Sequence, residues 1–530
     1  MERWNGWGDE TISMDLPPGA LALLKGLVGE AKPPKDCPLE RVLAQVPASR
    51  LPSHPGIVTQ PMDRLIHSHG HSLSDWVHMR AGTIRRFPDG VACPATLDDL
   101  TGLLDFAATH GIIVIPYGGG TSVVGHLDVP DDTRPVLSIS MKRLNRLVSL
   151  DSMSLLATFE AGIRGPELES QLGARGFTLG HYPQSYEYSS LGGWVVTRSS
   201  GQQALYYGGI DKMFVGGDLY TPKGIERIPE VPSSAAGPDL RHLVLGSEGR
   251  LGILARATVR ISPVPAKDVV YGVFFPTWEN ALEAARTLAA SGLPLSMVRL
   301  SNPVETMTNL FIAGHEREIA LLKKYLAFRG IPEHGSSMCL LGFIGSARLV
   351  RAAKCEAFSI MRKYKGVSLG TMMGKSWKKN RFLTPYLRNT LWDLGYAVDT
   401  LETAVPWSRV DSTMQEIERV IGKGLMPWNE NVHVFTHLSR LYPMGSSIYT
   451  QFLFRLGDTP EETLERWKTL KAAASRVIMD AGGTISHQHG VGIDHKEYLE
   501  AEKGKVGMEI LRTLCATVDP DNRMNPTKLI

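Results

Sequence analysis

The segment Ile485-Ser-His-Gln-His-Gly-Val-Gly492 sets His487 and His489 two residues apart. Extended backbone sends both rings to one side and the residue between them to the other. Two same-facing imidazoles can work as an acid/base pair near neutral pH. His-x-His pairs also ligate metals on some barrel strands, but no second motif with metal spacing accompanies this one, so no metal is expected. His433 and His437 also share a strand face. No carboxylate stands near them in the sequence, and they read as ordinary polar packing. Arg299, in Met-Val-Arg-Leu, interrupts an apolar strand and needs an anionic partner.

A different chemistry is written at Pro116-Tyr-Gly-Gly-Gly-Thr-Ser-Val123, directly after the apolar run Ile112–Ile115. Three consecutive glycines expose backbone N–H groups to an anion, and two hydroxyls follow. No Gly-Lys-Ser/Thr follows, so it is not a Walker loop. Val123 occupies the third glycine position of Gly-x-Gly-x-x-Gly, so the dinucleotide fingerprint fails as well. Alone, the loop reads equally as a phosphate cradle or a flexible hairpin. Two further small-residue stretches, Pro183–Gly201 and Gly246–Ile253, favour the cradle: three such loops suit one elongated ligand clasped along its length.

These loops need a scaffold. Thr96 with Asp99 resembles a capping box for a helix closed by Gly111. Strands are expected at 112–115, 135–140 and 154–160, with a helix from Gly165 to Gly176 and a strand at Ala255–Ile261. Pro263 and Pro265 mark a boundary. Beyond them come strand 269–275, helix 278–290 and strand 296–300. A comparable strand–helix unit at 338–364 hints at duplication. Strand 447–456 alternates, with Ile448, Thr450, Phe452 and Phe454 on one face and Tyr449, Gln451 and Arg455 on the other. Helix 460–480 follows. The expected division is an N-terminal arm (1–55) with a short helix at Leu21–Leu27, a sheet domain carrying the small-residue loops (56–264), a second α/β region (265–485) and a C-terminal segment (486–530).

Composition narrows the class. The 530 residues carry 57 Lys+Arg and 54 Asp+Glu, a net charge of +3, which gives no electrostatic case for nucleic acid. Hydrophobic residues at 43% and charged residues at 21% are those of a globular chain. Five scattered cysteines without a CxxC pair fit a reducing compartment. No run approaches membrane-spanning length. The N-terminus lacks a signal-peptide core and the C-terminus is not Ser-Lys-Leu, so a cytoplasmic location is expected.

PYGGGTSV, PQSYEYSSLGGWVVTRSSG and GSEGRLGIL together resemble the vanillyl-alcohol-oxidase type of FAD-binding domain. Trp4-Asn-Gly-Trp-Gly8, His69-Gly-His71 and the Gly-Gly-Trp-Val-x-Thr-Arg block extend the resemblance to the alkyldihydroxyacetonephosphate synthases over nearly the whole chain. The implied fold is α+β: a two-part FAD-binding domain plus an α/β cap with a mixed or antiparallel sheet.

The implied cofactor is non-covalent FAD, despite the temptation of a covalent link at His67, His69 or His71. Four segments would hold it. The first is Pro116, Tyr117, Gly118, Gly119, Gly120, Thr121 and Ser122. The second is Gln184, Ser185, Tyr186, Glu187, Tyr188, Ser189 and Ser190. The third is Thr197, Arg198, Ser199 and Ser200. The last is Glu248, Gly249, Arg250, Leu251, Gly252, Ile253 and Leu254. By the same resemblance Tyr449, His487, His489 and Arg299 are catalytic and Arg388 binds substrate. Gln488 stands where the family has the middle of three histidines, and on a strand it would face away from the other two.

The resemblance implies a redox-neutral exchange. The acyl chain of acyl dihydroxyacetone phosphate leaves, the carbon is trapped on flavin N5, and a fatty alcohol replaces the acid to give an alkyl ether. The resemblance also implies a homodimer, and a cytoplasmic enzyme touching a membrane surface to collect lipid is the simplest expectation. The alternatives are an FAD-linked oxidase or dehydrogenase of a 2-hydroxy acid or glycerol phosphate, and a flavin carrier without catalysis.

Overall fold

The computed structural model describes residues 2–530. Thr96 and Asp99 do form a reciprocal capping box on helix Leu97–Thr109, a local device that stabilises such a helix start by about 1 kcal/mol. The helix buries Leu100, Leu103 and Ala107 against strands Gly90–Ala92, Val136–Ser140 and Ile113–Tyr117, which run parallel to one another. The chain end returns here: Asn525 N donates to Val114 O at 2.8 Å, while Val114 N donates to Arg523 O at 2.9 Å. A second, antiparallel sheet has the order Leu147–Asp151, Leu156–Glu160, Ile253–Arg260, Phe214–Thr221, Gly224–Ile228. Helix Gly165–Gly173 and helix Leu191–Thr197 cover it through Leu168, Leu172, Leu191 and Trp194.

The C-terminal half is built on a seven-stranded antiparallel sheet in the order Val367–Ser368, Lys267–Phe275, Ser337–Gly345, Leu295–Ser301, His433–Tyr442, Gly445–Arg455, Tyr396–Pro406. The expected duplication exists, with different partners. Lys267–Phe275, helix Trp278–Ala290, Leu295–Ser301, Ser337–Gly345 and helix Ala347–Lys363 form one β-α-β-β-α unit. Tyr396–Pro406, helix Trp407–Lys423, His433–Tyr442, Gly445–Arg455 and helix Pro460–Asp480 form the other. In both, the third strand inserts between the first two. The pair at 338–364 is therefore the closing half of the first unit, not its repeat. Sequence alternation could not show which strands pair.

The long helices cover one face of this sheet, burying Ile448, Phe452 and Phe454 with Val410, Met414, Trp467 and Leu470. Tyr449 and Gln451 point to the opposite face, as the alternation predicts, and that face borders a cavity. The N-terminal arm is more firmly built than expected. Helix Pro18–Val28 packs Leu24 and Val28 on Leu387, Leu391, Tyr396 and Leu453. Trp7 is buried, its backbone N and O bonded to the Asn389 side chain at 3.0 Å each.

Candidate active site

A cavity of about 750 Å³ runs between the two smaller sheets and the free face of the large one. Its polar floor starts at the glycine loop. All of Pro116 to Ser122 line it. Gly119 has no room for a Cβ, which would strike the Tyr188 carbonyl and the Ser189 Cα. Gly120 has φ +71°. Close packing against the second segment thus accounts for part of the glycine content.

The anion argument rests on the backbone. The amides of Gly118, Gly119, Gly120, Thr121 and Ser122 donate to no protein acceptor among the described residues. A row of free N–H donors facing a cavity fits the pyrophosphate of a dinucleotide. Gln184, Ser185, Ser189, Ser190, Thr197, Ser199, Ser200, Glu248, Gly249, Gly252, Ile253 and Leu254 continue the wall. The residues present therefore fit FAD.

Six expected wall residues lie off it. The Tyr186 ring stacks on Phe382 at 4.9 Å. Tyr188 OH meets Tyr386 OH at 2.7 Å. Glu187 is not on the wall. Arg198 closes a helix in the left-handed region, with φ 57°. Arg250 donates to the Met524 carbonyl and to Asn522 Oδ1, tying down the chain end. Leu251 is core. The motif boundaries were drawn along the chain, whereas a turning loop shows only some of its residues to the cavity. The sequence reading also missed Trp194, Gln202, His126 and Asn525, which do line it.

At the far end, directly opposed residues on three strands form one row: Glu402 faces Tyr449, and Tyr449 faces His437. Cross-strand partners share a face, so this row is fixed by register. His489 Nδ1 lies 3.6 Å and His487 Nδ1 3.7 Å from the buried Glu402 carboxylate. Gln488 N donates to Glu402 Oε1 at 2.7 Å. Burial opposes ionisation of Glu402, but the two imidazoles and this amide together hold its carboxyl below the ordinary range. Burial also lowers His489, which Glu402 partly offsets. The His489 ring meets Tyr449 edge-on at 5.9 Å. Burial pushes the Tyr449 phenol far up.

The extended geometry expected at 485–492 is not there: the segment is a series of bends, not a strand. Alternation therefore fails. His489 and Gln488 line the cavity, and His487 does not. His487 instead bonds Tyr442 OH through Nε2 at 2.7 Å and stands behind Glu402. The expectation that Gln488 faces away is thus corrected, and the two histidines are joined by Glu402 rather than by a shared strand face.

Arg388 is enclosed above the Trp76 ring at 4.4 Å. It donates from Nη1 to His71 O at 2.6 Å, while Nε and Nη2 have no partner. Burial lowers its pKa to about 10. A buried guanidinium with unused donors beside a cavity is set for an anion. Arg299 is different: it already has its anion, Glu305 Oε1 at 2.8 Å. His437 Nδ1 shares that oxygen at 2.8 Å, so the reading of His437 as lacking a carboxylate is also corrected. Glu305 comes from helix Pro303–Ala313, 132 residues away. Glu402, Glu305 and Tyr442 carry no sequence signal, since only strand register and helix placement bring them in. No cluster suited to a metal ion occurs among the described residues.

An apolar branch leaves this end of the cavity. Leu23, Leu24 and Leu27 of the N-terminal helix line it with Phe311, Ile312, Leu391, Phe435 and Leu453.

The class follows from comparison with known proteins. Residues 88–228 match the FAD binding domain family, and residues 264–529 match the C-terminal domain of FAD linked oxidases. It is an FAD-dependent enzyme fold. The crystal structure of p-cresol methylhydroxylase shares that fold, with TM-score 0.67 over 98% of both chains at 13% identity. Alkyldihydroxyacetonephosphate synthase of Dictyostelium discoideum is 30% identical over all of this chain and 93% of its own length. The synthase of Trypanosoma brucei brucei is 29% identical over 100% and 92%. A solved alkyldihydroxyacetonephosphate synthase superposes with TM-score 0.86 at 27% identity, covering 99% and 98% of the two chains. The chain belongs to the alkyldihydroxyacetonephosphate synthase family. D-lactate dehydrogenase of Arabidopsis thaliana is more distant, at 25% identity over 84% of this chain and 73% of its own.

Proposed function

We propose that this protein replaces the acyl chain of acyl dihydroxyacetone phosphate by a fatty alcohol, forming the ether bond of ether lipids. The observation that carries the reading is the meeting, at one end of the cavity, of an anion-ready Arg388, the carboxylate-braced His489 and an apolar branch. Such a site takes a substrate with a charged head and a hydrocarbon chain. Bound FAD supplies an electron sink for the carbon that loses its acyl group.

The chain's own residues do the rest. Residues Pro116 to Ser122, with the other wall residues above, hold the cofactor. Arg388 holds the phosphate. His489 and Tyr449 exchange protons with the substrate, and Glu402 keeps the His489 ring oriented. His487 works through Glu402 and Tyr442 as a positioning residue. Arg299 supports the site from its pair with Glu305. We take residues 56–264 as the FAD-binding domain, 265–485 as the cap, and 486–530 as the segment completing the site. The arm 1–55 walls the apolar branch. The same reading has a homodimer in the cytoplasm collecting its chain-bearing substrates at a membrane surface. No helix among the described residues is long and apolar enough to cross a membrane.

The test is product analysis of FAD-loaded protein given acyl dihydroxyacetone phosphate and labelled hexadecanol. Labelled ether without net flavin reduction is expected. Anaerobic bleaching by a 2-hydroxy acid or glycerol phosphate, without ether, would overturn the reading in favour of a dehydrogenase.

A further inference from the structure

Tyr449 is flanked by two imidazole–carboxylate pairs, of which the reading above uses one. The second is His437 with Glu305. The Glu305 side chain is fully enclosed, and Gln451 Nε2 also approaches its Oε1, at 3.4 Å. Burial opposes ionisation, but the Arg299 guanidinium and the bond from His437 hold its carboxyl below the ordinary range, so it is charged near neutral pH. His437 Nδ1 has two neighbours, the ionised Glu305 Oε1 at 2.8 Å and Arg299 Nη2 at 3.4 Å, and the shorter contact to the carboxylate calls for an N–H at Nδ1. That fixes the tautomer and leaves Nε2 with its lone pair, and Nε2 bonds to nothing among the described residues. A carboxylate that orients a histidine in this way makes it a proton acceptor.

The position of the ring says which proton. Along strand His433–Tyr442, alternate residues His433, Phe435, His437 and Ser439 line the cavity, about 7 Å apart. Phe435 belongs to the apolar cluster with Leu24, Leu391 and Leu453. At the other end Arg440 bonds Ser200 of the cofactor wall at 2.8 Å. His437 thus stands where the apolar branch opens onto the cofactor floor. Its ring lies beside Tyr449 at 4.9 Å, nearly parallel. A long alcohol lying in the branch presents its hydroxyl here.

We propose that His437, oriented by Glu305 and Arg299, is the base that receives the hydroxyl proton of the incoming alcohol. The proposal rests on the synthase reading. Over the whole exchange the alcohol O–H bond and the carbon's bond to the carboxylate oxygen break, and a bond between that carbon and the alcohol oxygen forms. The proton goes to Nε2 and then to water, the fatty acid leaves as its anion, and no electrons are gained or lost overall. His489 and Glu402, across Tyr449, are left to serve the substrate before the acid departs. The charged and titratable groups facing His437 are Arg299, Glu305, Tyr449 and, farther off, Glu402.

The experiment separates the two halves in FAD-loaded full-length protein. One assay follows release of labelled fatty acid from acyl dihydroxyacetone phosphate without alcohol. The other follows ether formation with hexadecanol. His437→Gln is expected to release fatty acid within about threefold of wild type and to lose ether formation by about 100-fold or more, the usual worth of a general base. Glu305→Gln keeps the ring. It should show the same selective loss, smaller, with a displaced acid limb in the alcohol-dependent step only. Equal loss of both halves, or no loss of ether formation, in folded variants with wild-type flavin absorbance overturns the proposal. Wild-type protein that releases no acid and forms no ether overturns the synthase reading, and the proposal with it.

Discussion

Replacing Arg388 by methionine should make the unliganded protein more stable and less able to hold its substrate. The guanidinium keeps one hydrogen bond, to His71 O at 2.6 Å, and its Nε and Nη2 donors have none. Burial draws its pKa from 12.5 to about 10. At 1.36 kcal/mol per unit, that corresponds to roughly 3 kcal/mol held against the charged form in the folded protein. Methionine removes this burden and gives up one hydrogen bond and the contact with Trp76, together about 1–2 kcal/mol.

Without ligand, thermal unfolding of Arg388→Met should therefore occur at a temperature at or above that of wild type. The opposite sign is expected with ligand. Two charge-assisted bonds to phosphate contribute about 1.5–3 kcal/mol each, so affinity for dihydroxyacetone phosphate should fall by at least about 100-fold. Arg388→Lys keeps the charge without the fork and should fall between the two. The assay is thermal unfolding across a dihydroxyacetone phosphate titration. A variant that unfolds well below wild type yet is stabilised equally by the ligand would refute the reasoning, because Arg388 would then be a structural group already satisfied.

Three other outcomes follow from the geometry. Gly119→Ala puts a methyl group against the Tyr188 carbonyl and the Ser189 Cα, a strain of about 1–3 kcal/mol. A fluorescence titration with FAD should show weakened binding in a protein that remains folded. Burial holds His489 below its ordinary value while Glu402 opposes that. Its neutral form therefore persists below pH 6.5, and the acid limb of kcat/KM should lie below that pH. In Glu402→Gln it should move lower still, as a pH–rate profile from 4.5 to 8 would show. The Glu305 carboxyl is depressed from 4.5 to about 2. Its contribution to stability is complete above pH 4.5 and is lost as pH falls from 4.5 towards 2. Urea unfolding of wild type should weaken more steeply across that window than that of Glu305→Gln.

How much of this was legible along the chain differs by element. The capping box at Thr96 and Asp99, the alternation around Tyr449 and the small-residue loops are local signals, set by neighbours within a few residues. The capping box and the alternation read correctly because backbone geometry at that range leaves few options. The segment 485–492 misled, since the same two-residue spacing means one thing on a strand and another in a bend. The duplication was half seen: the strand–helix periods were visible, but not the insertion of each third strand between the first two.

The residues themselves determined that this chain would bind an elongated anionic cofactor and carry imidazoles and arginines to use with it. The three small-residue loops and the residue types at 299, 388, 449, 487 and 489 are properties of the string. The tertiary structure decided which groups work together. Glu305 reaches His437 across 132 residues, and Glu402 reaches Gln488 across 86. Carboxylate partners of this kind leave no trace in local pattern, because their pairing is fixed by strand register and helix docking. An ionised group in low dielectric is governed by whatever lies within a few ångströms of it, however far away in the chain.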